Sequence, residues 1–325
     1  MKFLVVGGAG YIGSHMVKHL QRAGHEWVVA DNFSTGHRRA LMDGTVVELD
    51  IADAQALDTL FAQHRFDAVF HFASFIQVGE SVSEPAKYYQ NNFAATLTLL
   101  QAMVRADIKH FIFSSTAAVY GDPVYVPIDE QHPKAPINPY GRSKWMVEQL
   151  LEDFDRAYGL KSVCLRYFNA AGADPEGQLG ERHEPETHLL PLILQAASGR
   201  RESITVFGRD YDTADGTCIR DYVHVTDLIA AHALALDYLL KDGSSTAFNL
   251  GNGQGFSVQQ VIDAARKVTG QAIKVSEAPR RAGDPPCLVA DPRRAHALLG
   301  WQPQFASLEQ IVTHAWRWEQ KHPWH

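Results

Sequence analysis

The sequence predicts an α/β fold, in which a doubly wound parallel β-sheet with helices on both faces is followed by a smaller mixed α/β domain. Two observations lead to this class. Through the first half of the chain, short apolar runs alternate with amphipathic stretches, as they do in successive βαβ units. After about Gly172 the chain becomes polar and irregular, and beyond that point short strands and helices are mixed.

The buried strands of the sheet are predicted where short, continuous apolar runs are bounded by polar or glycine residues. These runs are Phe3–Val6, Trp27–Ala30, Ala68–Phe72, Phe111–Phe113 and Ser162–Leu165. Between them, the amphipathic stretches His15–Arg22 and Asn92–Arg105 predict helices that cover the sheet.

The second half begins with Ala173–Thr187, a polar stretch with two prolines and two glycines that predicts an irregular crossing. The elements predicted beyond it are strands Ile204–Phe207 and Ala272–Val275 and helices Leu190–Ser198, Val258–Val268 and Leu308–Trp318. Within Val223–Leu250, a predicted helix Asp227–Leu240 and strand Ala247–Leu250 form a further αβ unit. We therefore expect one domain over residues 1–172, to which residues 222–250 return, and a second over residues 173–325.

The composition is that of an ordinary globular protein. Of the 325 residues, 46% are hydrophobic and 21% are charged, and the formal net charge is −7. These values exclude disordered and collagen-like classes. Nucleic-acid-binding proteins usually carry a basic excess, so we expect no nucleic-acid partner. An anionic small ligand stays possible, because local donors can oppose the overall charge.

Neither the cysteines nor the histidines predict a metal site. Cys164, Cys218 and Cys287 are far apart and form no C-x-x-C pair, and the sixteen histidines show no H-E-x-x-H spacing. We therefore expect no metal, no disulfide framework and a cytoplasmic location. No apolar run approaches the roughly 18 residues that span a bilayer. Phe3–Val6 leads directly into glycines, as a strand would, so we expect no signal peptide and no membrane partner.

A glycine-rich segment, Gly7-Gly8-Ala9-Gly10-Tyr11-Ile12-Gly13, follows the first predicted strand and opens a helix. Gly7 permits a tight turn, Gly10 lets the backbone approach a pyrophosphate, and Gly13 allows close packing of helix on strand. The helix N-terminus then offers free N–H groups to phosphates. This arrangement predicts a dinucleotide site on a sheet of Rossmann type, and a plain glycine turn is the alternative interpretation.

Asp31, at the end of the second predicted strand, indicates which dinucleotide is bound. A carboxylate there accepts hydrogen bonds from the ribose hydroxyls of adenosine and repels a 2′-phosphate, which favours NAD over NADP. Arg38 and Arg39 lie nearby and could favour NADP, but we interpret them as a solvated basic turn.

Tyr140 is the only tyrosine with a lysine four residues later, at Lys144. Asn138 and Pro139 suit the N-cap and first position of a helix that Gly159 would end, so the two side chains lie on one helix face. A cation beside the phenol, together with a positive nicotinamide ring, should lower the phenol pKa and make it a usable acid/base. A Y-x-x-x-K pair is common on surface helices, and the glycine-rich segment is what favours the catalytic interpretation.

Three hydroxyl residues end the predicted strand that begins at Phe111, at the edge where open α/β sheets bind ligands. We expect Thr116 to share a proton with Tyr140 and a substrate. A strand end capped by small polar residues is the alternative.

These residues identify a close resemblance to the UDP-glucose 4-epimerase family, within the extended short-chain dehydrogenase/reductase superfamily. The resemblance covers nearly the whole chain. The matching segments are Gly7–His15, Asp31–Ala40, His71–Asn92, Phe113–Gly121, Asn138–Lys144, Arg166–Ala173, Phe207–Leu228 and Pro279–Pro286.

The resemblance implies a reaction without net redox change. Tyr140 would take the 4′-hydroxyl proton while sugar C4 gives a hydride to tightly bound NAD. The 4-keto sugar would then turn about its diphosphate and receive the hydride on its other face, interconverting UDP-glucose and UDP-galactose. A homodimer built from helices near Asn92–Arg105 and Trp145–Tyr158 is also implied.

The resemblance also implies roles for particular residues. Catalytic roles fall to Tyr140, Lys144 and Thr116. The implied cofactor contacts are Gly7, Gly10, Tyr11, Ile12, Gly13, Asp31, Asn32, Asp50, Ile51, Phe72, Ala73, Asn91, Ser114, Tyr140, Lys144, Tyr167 and Phe168. The implied contacts with a UDP-sugar are Thr116, Asn169, His188, Leu189, Phe207, Arg220, Tyr222, Val258, Arg281, Asp284 and Leu288.

Four positions depart from patterns common in the family. Ile76 stands where some members have a lysine near the nicotinamide, and His188 stands where an asparagine often contacts substrate. Thr116 replaces a common serine and keeps the hydroxyl. Leu288 occupies the position that gates the sugar 2′ side, so we expect it to crowd an N-acetyl group.

Other functions stay open at this point. Epimerisation of another UDP-sugar, UDP-GlcNAc or a UDP-pentose, would use the same chemistry, and a decarboxylase is a further alternative. A non-catalytic NAD-binding regulator is also conceivable, although both Tyr140 and Lys144 are present. A 4,6-dehydratase is disfavoured, because Ala117 and Ala118 stand where such enzymes carry an Asp-Glu pair.

Overall fold

The computed structural model describes residues 1–281 and 284–321. Its strands, numbered β1 to β14 in chain order, are Lys2–Val6, Glu26–Asp31, Thr45–Glu48, Ala68–His71, His110–Thr116, Lys161–Tyr167, Asn169–Ala171, Ile204–Phe207, Ile219–Arg220, Tyr222–His224, Thr246–Leu250, Phe256–Ser257, Val275–Ala278 and Cys287–Leu288. Each of the five strands predicted in the first half coincides with one of these.

The helices cover both faces of the sheet. Numbered α1 to α11, they are Tyr11–Arg22, Ala54–Gln63, Val78–Ser83, Pro85–Tyr88, Ala95–Arg105, Pro139–Tyr158, Leu189–Ala197, Val225–Leu240, Val258–Thr269, Arg293–Leu299 and Leu308–Lys321. Short 3₁₀ turns occur at Arg38–Ala40 and Ala117–Val119, and a π-helical turn at Tyr89–Ala94. Within the described ranges, no helix is both long enough and apolar enough to cross a bilayer.

Seven strands form one parallel sheet in the order β11-β6-β5-β4-β1-β2-β3. Strands β2 and β3 extend from one side of β1, and β4, β5, β6 and β11 extend from the other, so the winding reverses between β1 and β4. The predicted α/β class, with a doubly wound sheet of Rossmann type, is confirmed. In such sheets, ligands bind outside the carboxyl ends of the strands at this reversal.

Alternating side chains of the strands build two apolar cores. Phe3 and Val5 of β1 belong to a core shared with α1, α8 and α10, whereas Leu4 and Val6 belong to one shared with α2, α5 and α6. This alternation follows from the two-residue period of a strand, and both faces are apolar because helices cover both.

The remaining elements form a smaller mixed α/β part with its own apolar core. Helices α7, α9 and α11 pack around β8 through residues that include Ile193, Val206, Ile262 and Ile311. This part and the sheet meet along β7 and β10, which pair in parallel.

Two predicted elements differ from the observed ones. The strand predicted over Ala272–Val275 is wrong, because the ladder with β8 begins only at Val275 and continues to Ala278. Ile273, which gave the apolar pattern, is buried although it lies before the strand begins. The helix predicted over Asn92–Arg105 is α-helical only from Ala95, because the π-helical turn precedes it.

Candidate active site

A cleft of about 1030 Å³ lies at the carboxyl ends of the parallel strands, where the winding of the sheet reverses. One wall comes from the turns after β1, β2, β4 and β5, and the other from the smaller part of the molecule. The cleft is therefore placed and sized for an extended ligand held between the two parts.

Most of the residues predicted for the site line this cleft. Those predicted to contact the cofactor are Gly7, Gly10, Tyr11, Ile12, Gly13, Asp31, Asn32, Asp50, Ile51, Phe72, Ala73, Asn91, Tyr140, Tyr167 and Phe168. Those predicted to contact the substrate are Thr116, Asn169, His188, Leu189, Arg220, Tyr222, Asp284 and Leu288.

Five predicted residues are not among those that line the cleft. Ser114 and Lys144 are buried and bonded to each other behind it. Phe207 ends β8, with the guanidinium of Arg281 lying 3.9 Å from its ring centroid. Val258 begins α9. The roles predicted for these residues stay predictions.

The glycine-rich segment has the shape that a pyrophosphate requires. A Cβ atom at Gly13 would lie 2.1 Å from the carbonyl oxygen of Gly7, so only glycine allows helix α1 to start this close to β1. The N-cap residue of α1, Gly10, provides no side-chain cap to the first turn. The amides of that turn, which line the cleft, are thus suited to a negatively charged group.

Asp31 is held by backbone amides at the end of β2. Its two carboxylate oxygens accept hydrogen bonds from Ala9 N (2.9 Å) and Phe33 N (2.8 Å). Burial raises the pKa of Asp31, and both amides oppose that rise. Each carboxylate oxygen keeps a further lone pair, so the group can still accept from a ribose diol.

Arg38 is engaged away from Asp31. It forms an ion pair with Glu48, and its guanidinium lies 4.0 Å from the centroid of the Phe33 ring. This arrangement agrees with the interpretation of Arg38 as part of a basic turn.

The Tyr140 phenol and the Thr116 hydroxyl both line the cleft, and the hydroxyl is near enough to oppose the rise of the phenol pKa. Asn138 caps helix α6 as predicted, its Oδ1 accepting from Gly141 N at 2.8 Å, and Gly159 ends the helix in the left-handed conformation. Thr116 Oγ1 also accepts from Ala118 N at 3.1 Å, which fixes the hydroxyl at the end of β5.

Lys144, one helical turn after Tyr140, is almost fully buried. Its ammonium donates to Ser114 O (2.9 Å) and to Ser74 Oγ (2.5 Å). Burial lowers the pKa of Lys144 to about 7, although Glu148 and Cys164 oppose this shift. Ser74 was not predicted, because a lone serine in the turn after β4 gives no sequence signal.

The sequence predicts a lowered pKa for the Tyr140 phenol, whereas in the structure that pKa is raised. Burial raises that pKa, and only the hydrogen bond from Thr116 opposes the rise. The expected lowering by Lys144 is absent in the protein alone, since burial dominates and the ammonium is engaged by Ser114 and Ser74.

The π-helical turn at Tyr89–Ala94 orients a buried amide that the sequence did not predict. Asn92 Oδ1 accepts from Phe75 N at 2.9 Å, and its Nδ2 donates to Phe75 O at 3.0 Å and Ser143 Oγ at 3.2 Å. Asn91 donates to Asn92 Oδ1 at 2.9 Å and lines the cleft. Asn92 thus ties the turn after β4 to helix α6, and π-turns are frequent at functional sites.

On the opposite wall, Arg220 and Asp284 form a polar pair. Arg220 donates to Pro285 O at 3.0 Å and lies 3.4 Å from Asp284 Oδ1. Leu288, the neighbour of Arg220 in the β9–β14 pairing, packs on the apolar cluster that contains Ala117 and Val119. The turn that follows β5 and this wall of the cleft are therefore in direct contact.

Comparison with known proteins gives a consistent result. Residues 3–251 match the model of the NAD dependent epimerase/dehydratase family. The chain is 54% identical over 323 residues to a UDP-glucose 4-epimerase of Halalkalibacterium halodurans, covering 99% of this chain and 97% of that protein.

Two solved structures are similar over nearly their whole length. A UDP-glucose 4-epimerase from Brucella ovis in complex with NAD has a TM-score of 0.95 and 48% identity, with 97% of each chain covered. A UDP-Glc/GlcNAc 4-epimerase from Campylobacter jejuni has a TM-score of 0.87 and 46% identity, covering 98% of this chain and 99% of that chain.

Proposed function

This chain belongs to the NAD dependent epimerase/dehydratase family, and we propose that it interconverts UDP-glucose and UDP-galactose by inverting sugar C4. The observation that carries this function is that Tyr140 and Thr116 line one cleft together with the glycine-rich segment and the Arg220–Asp284 pair. One acid/base group therefore lies between a dinucleotide site and a site for an anionic nucleotide-sugar.

The cofactor is NAD. When bound, NAD supplies a hydride acceptor and, once reduced, a hydride donor for the sugar carbon. The unblocked amides of α1 would bind its pyrophosphate, and Asp31 would accept from the adenosine ribose. Asp50 and Ile51 would border the adenine.

We propose that one group of residues contacts the nicotinamide half of the cofactor. These residues lie on the loop after β4, the π-helical turn, the ends of β5 and β6 and helix α6, and are Phe72, Ala73, Asn91, Ser114, Lys144, Tyr167 and Phe168. Their support is that the loop, the turn and α6 are joined through Asn92 and Lys144.

Tyr140 is the proposed base and acid. Its phenolate takes the proton of the sugar 4′-hydroxyl as C4 is oxidised, and the phenol returns that proton when C4 is reduced on the other face. Thr116 donates to the phenol oxygen and bridges it to the hydroxyl. Because burial raises the phenol pKa and Lys144 does not lower it in the protein alone, the positive nicotinamide ring is required beside the phenol. Lys144 would donate to the nicotinamide ribose.

The substrate is proposed to be held firmly by its UDP and loosely by its sugar. Arg220, Arg281 and Asn169 would bind the diphosphate, because the planar guanidinium pairs well with phosphate oxygens. Asp284 would accept from the uridine ribose. A sugar that is held mainly through its UDP group can rotate and present either face to one hydride donor.

The residues proposed to border the uridine and the sugar complete the substrate site. Phe207, Tyr222 and Val258 would flank the uridine. His188, Leu189 and Leu288 would flank the remaining substrate, which is supported by their place in the cleft wall.

We also propose the domain division 1–172 with 222–250 and 173–325, a homodimer, and a cytoplasmic location. The separate apolar core of α7, α9 and α11 supports the division, whereas helix α10 and Trp301, within the second range, pack in the core of the sheet. Partly exposed Leu97, Val104 and Leu150 on α5 and α6 support a dimer interface. The three free cysteines suit a reducing compartment.

The direct test follows UDP-hexose conversion by NMR for the native enzyme, Tyr140→Phe and Tyr158→Phe. Tyr158 is a matched control, since it lies on the same helix and is half exposed. Tyr140→Phe should lose about 10²- to 10⁴-fold in kcat and keep its NAD, because acid/base catalysis contributes about that much. Full activity in Tyr140→Phe, or no conversion of UDP-glucose by the native enzyme, contradicts the proposal.

A further inference from the structure

Four side chains with metal-binding atoms converge on the segment between β7 and α7. This four-residue cluster consists of Glu181, His183, Glu186 and His188. One atom from each side chain lies within 4.8 Å of those of the other three. Of these residues, only His188 was assigned to the proposed reaction, so the cluster needs an explanation of its own.

The spacing within the cluster suits a tetrahedral metal. His183 Nδ1 lies 3.5 Å from Glu181 Oε1 and 3.5 Å from Glu186 Oε2. His188 Nδ1 lies 4.0 Å from Glu186 Oε1 and in close contact with Glu181 Oε1. Metal–ligand bonds of about 2.0–2.2 Å place tetrahedral ligands about 3.4 Å apart. Small side-chain adjustments would thus bring all four atoms to one centre.

The charges within the cluster are only partly balanced by its own side chains. The side chains of Glu181 and Glu186 are only 5% and 6% exposed, and buried carboxylates require compensating charge. His188 contacts Glu181 through Nδ1, and although burial opposes it, the two carboxylates raise the pKa of His188 to about 9, so its imidazolium balances one of them. Among the described residues, the buried Nδ1 of His183 has no hydrogen-bond partner within normal bonding distance. A divalent cation would displace the proton of His188, use the lone pairs of both imidazoles and neutralise both carboxylates.

We propose that the four-residue cluster binds one divalent transition metal, Zn²⁺ by preference. Imidazole together with carboxylate favours zinc over calcium or magnesium, which prefer all-oxygen sites. Four protein ligands leave no open position, so the metal is structural. The sequence analysis expected no metal, because E-x-H-x-x-E-x-H on an irregular segment matches no familiar spacing.

The position of the cluster indicates what the metal does. Glu181, His183 and His188 line the cleft near the start of α1. Burial raises the pKa of Tyr11, and Glu181 and Glu186 add to that rise. The net negative charge that the two carboxylates keep without a metal, close to the phosphate-binding end of α1, would repel an anionic ligand. The metal cross-links the segment and removes that repulsion, so it supports cofactor retention without touching the reacting atoms.

The test uses tag-free full-length enzyme with its NAD. The protein is stripped with dipicolinate, loaded with excess Zn²⁺, desalted and analysed by elemental mass spectrometry. The native enzyme should retain about one zinc per chain, as a closed four-ligand site does. His183→Gln combined with Glu186→Gln should lower retained zinc at least tenfold. Glu184→Gln is the matched control, since this exposed carboxylate lies in the same segment and outside the cluster; it should retain zinc.

Two further measurements test the coordination of the zinc and its effect on stability. X-ray absorption at the zinc edge should show two nitrogen and two oxygen neighbours near 2 Å. Zinc should raise the melting temperature of the native enzyme and of Glu184→Gln, since a ligand of the folded state stabilises it. If the double variant fails to fold, His183→Gln alone takes its place. No zinc on the native enzyme, or full zinc on a folded cluster variant, overturns the proposal whether or not the epimerase activity is found.

Discussion

A Cβ atom on Gly141 would lie 2.5 Å from the carbonyl oxygen of Ala118, so the first turn of α6 rests directly on the turn that follows β5. Tyr140 precedes this glycine, and Thr116 lies two residues before Ala118. The close approach therefore sets the distance between the phenol of Tyr140 and the hydroxyl of Thr116, which both line the cleft.

We predict that Gly141→Ala lowers kcat about ten- to hundredfold, because the added methyl group moves the phenol away from Thr116, and catalysis is sensitive to displacements near 1 Å. KM for UDP-glucose and NAD content should change little. Steady-state kinetics check this. Gly79→Ala is the control, since a Cβ atom there meets nothing within 4 Å. A Gly141→Ala enzyme with native kcat would show that the contact does not position the phenol.

The burial of Lys144 predicts a pH dependence of stability. Its pKa is about 7 in the folded NAD-free protein and about 10.4 when unfolded. Between these values the unfolded state binds more protons, so stability rises with pH, and the destabilisation is complete below about pH 7. The native protein should gain on the order of 4 kcal/mol relative to Lys144→Met between pH 6.5 and 10.

Urea unfolding of NAD-free proteins at several pH values measures this difference. Lys267→Met is the control, because Lys267 is largely exposed and its replacement should give no such pH dependence. A stability difference between native and Lys144→Met proteins that stays constant over this pH range would contradict the depressed lysine pKa.

Asp31 should control the choice between NAD and NADP. Asp31→Asn removes the charge that repels a 2′-phosphate, so NAD affinity should fall about tenfold and the preference for NAD over NADP should narrow at least tenfold. Cofactor titration by fluorescence measures both. Glu26→Gln, at the exposed beginning of the same strand, should leave both values unchanged. An unaltered preference in Asp31→Asn would remove Asp31 from the ribose site.

The sequence was sufficient to predict a structural feature where a single residue type has one physical effect on the local backbone. Asn138 predicts the helix start because its side chain caps a free amide, and the pattern at Phe111–Phe113 predicts a strand because both faces of the sheet are covered. The π-helical turn was not predictable, since it changes hydrogen bonding without altering the apolar pattern. Ser74 and the four-residue cluster were not predictable either, because the folding of irregular segments brings those side chains together.

Leu288 should limit the size of the sugar that the cleft accepts. It lies in the cleft wall beside Arg220 and packs on the turn that follows Thr116. An N-acetyl group at C2 would have to displace this side chain, so the native enzyme should use UDP-GlcNAc at least about tenfold less efficiently than UDP-glucose.

Leu288→Ala should narrow that ratio by about ten- to hundredfold, since a pocket contact of a few methylene groups is worth roughly 1–3 kcal/mol. Values of kcat/KM for both substrates provide the measurement, and Leu298→Ala, which truncates an exposed leucine, should leave the ratio as it is. Comparable efficiency of the native enzyme on both sugars would mean that Leu288 yields to the larger group and does not select the substrate.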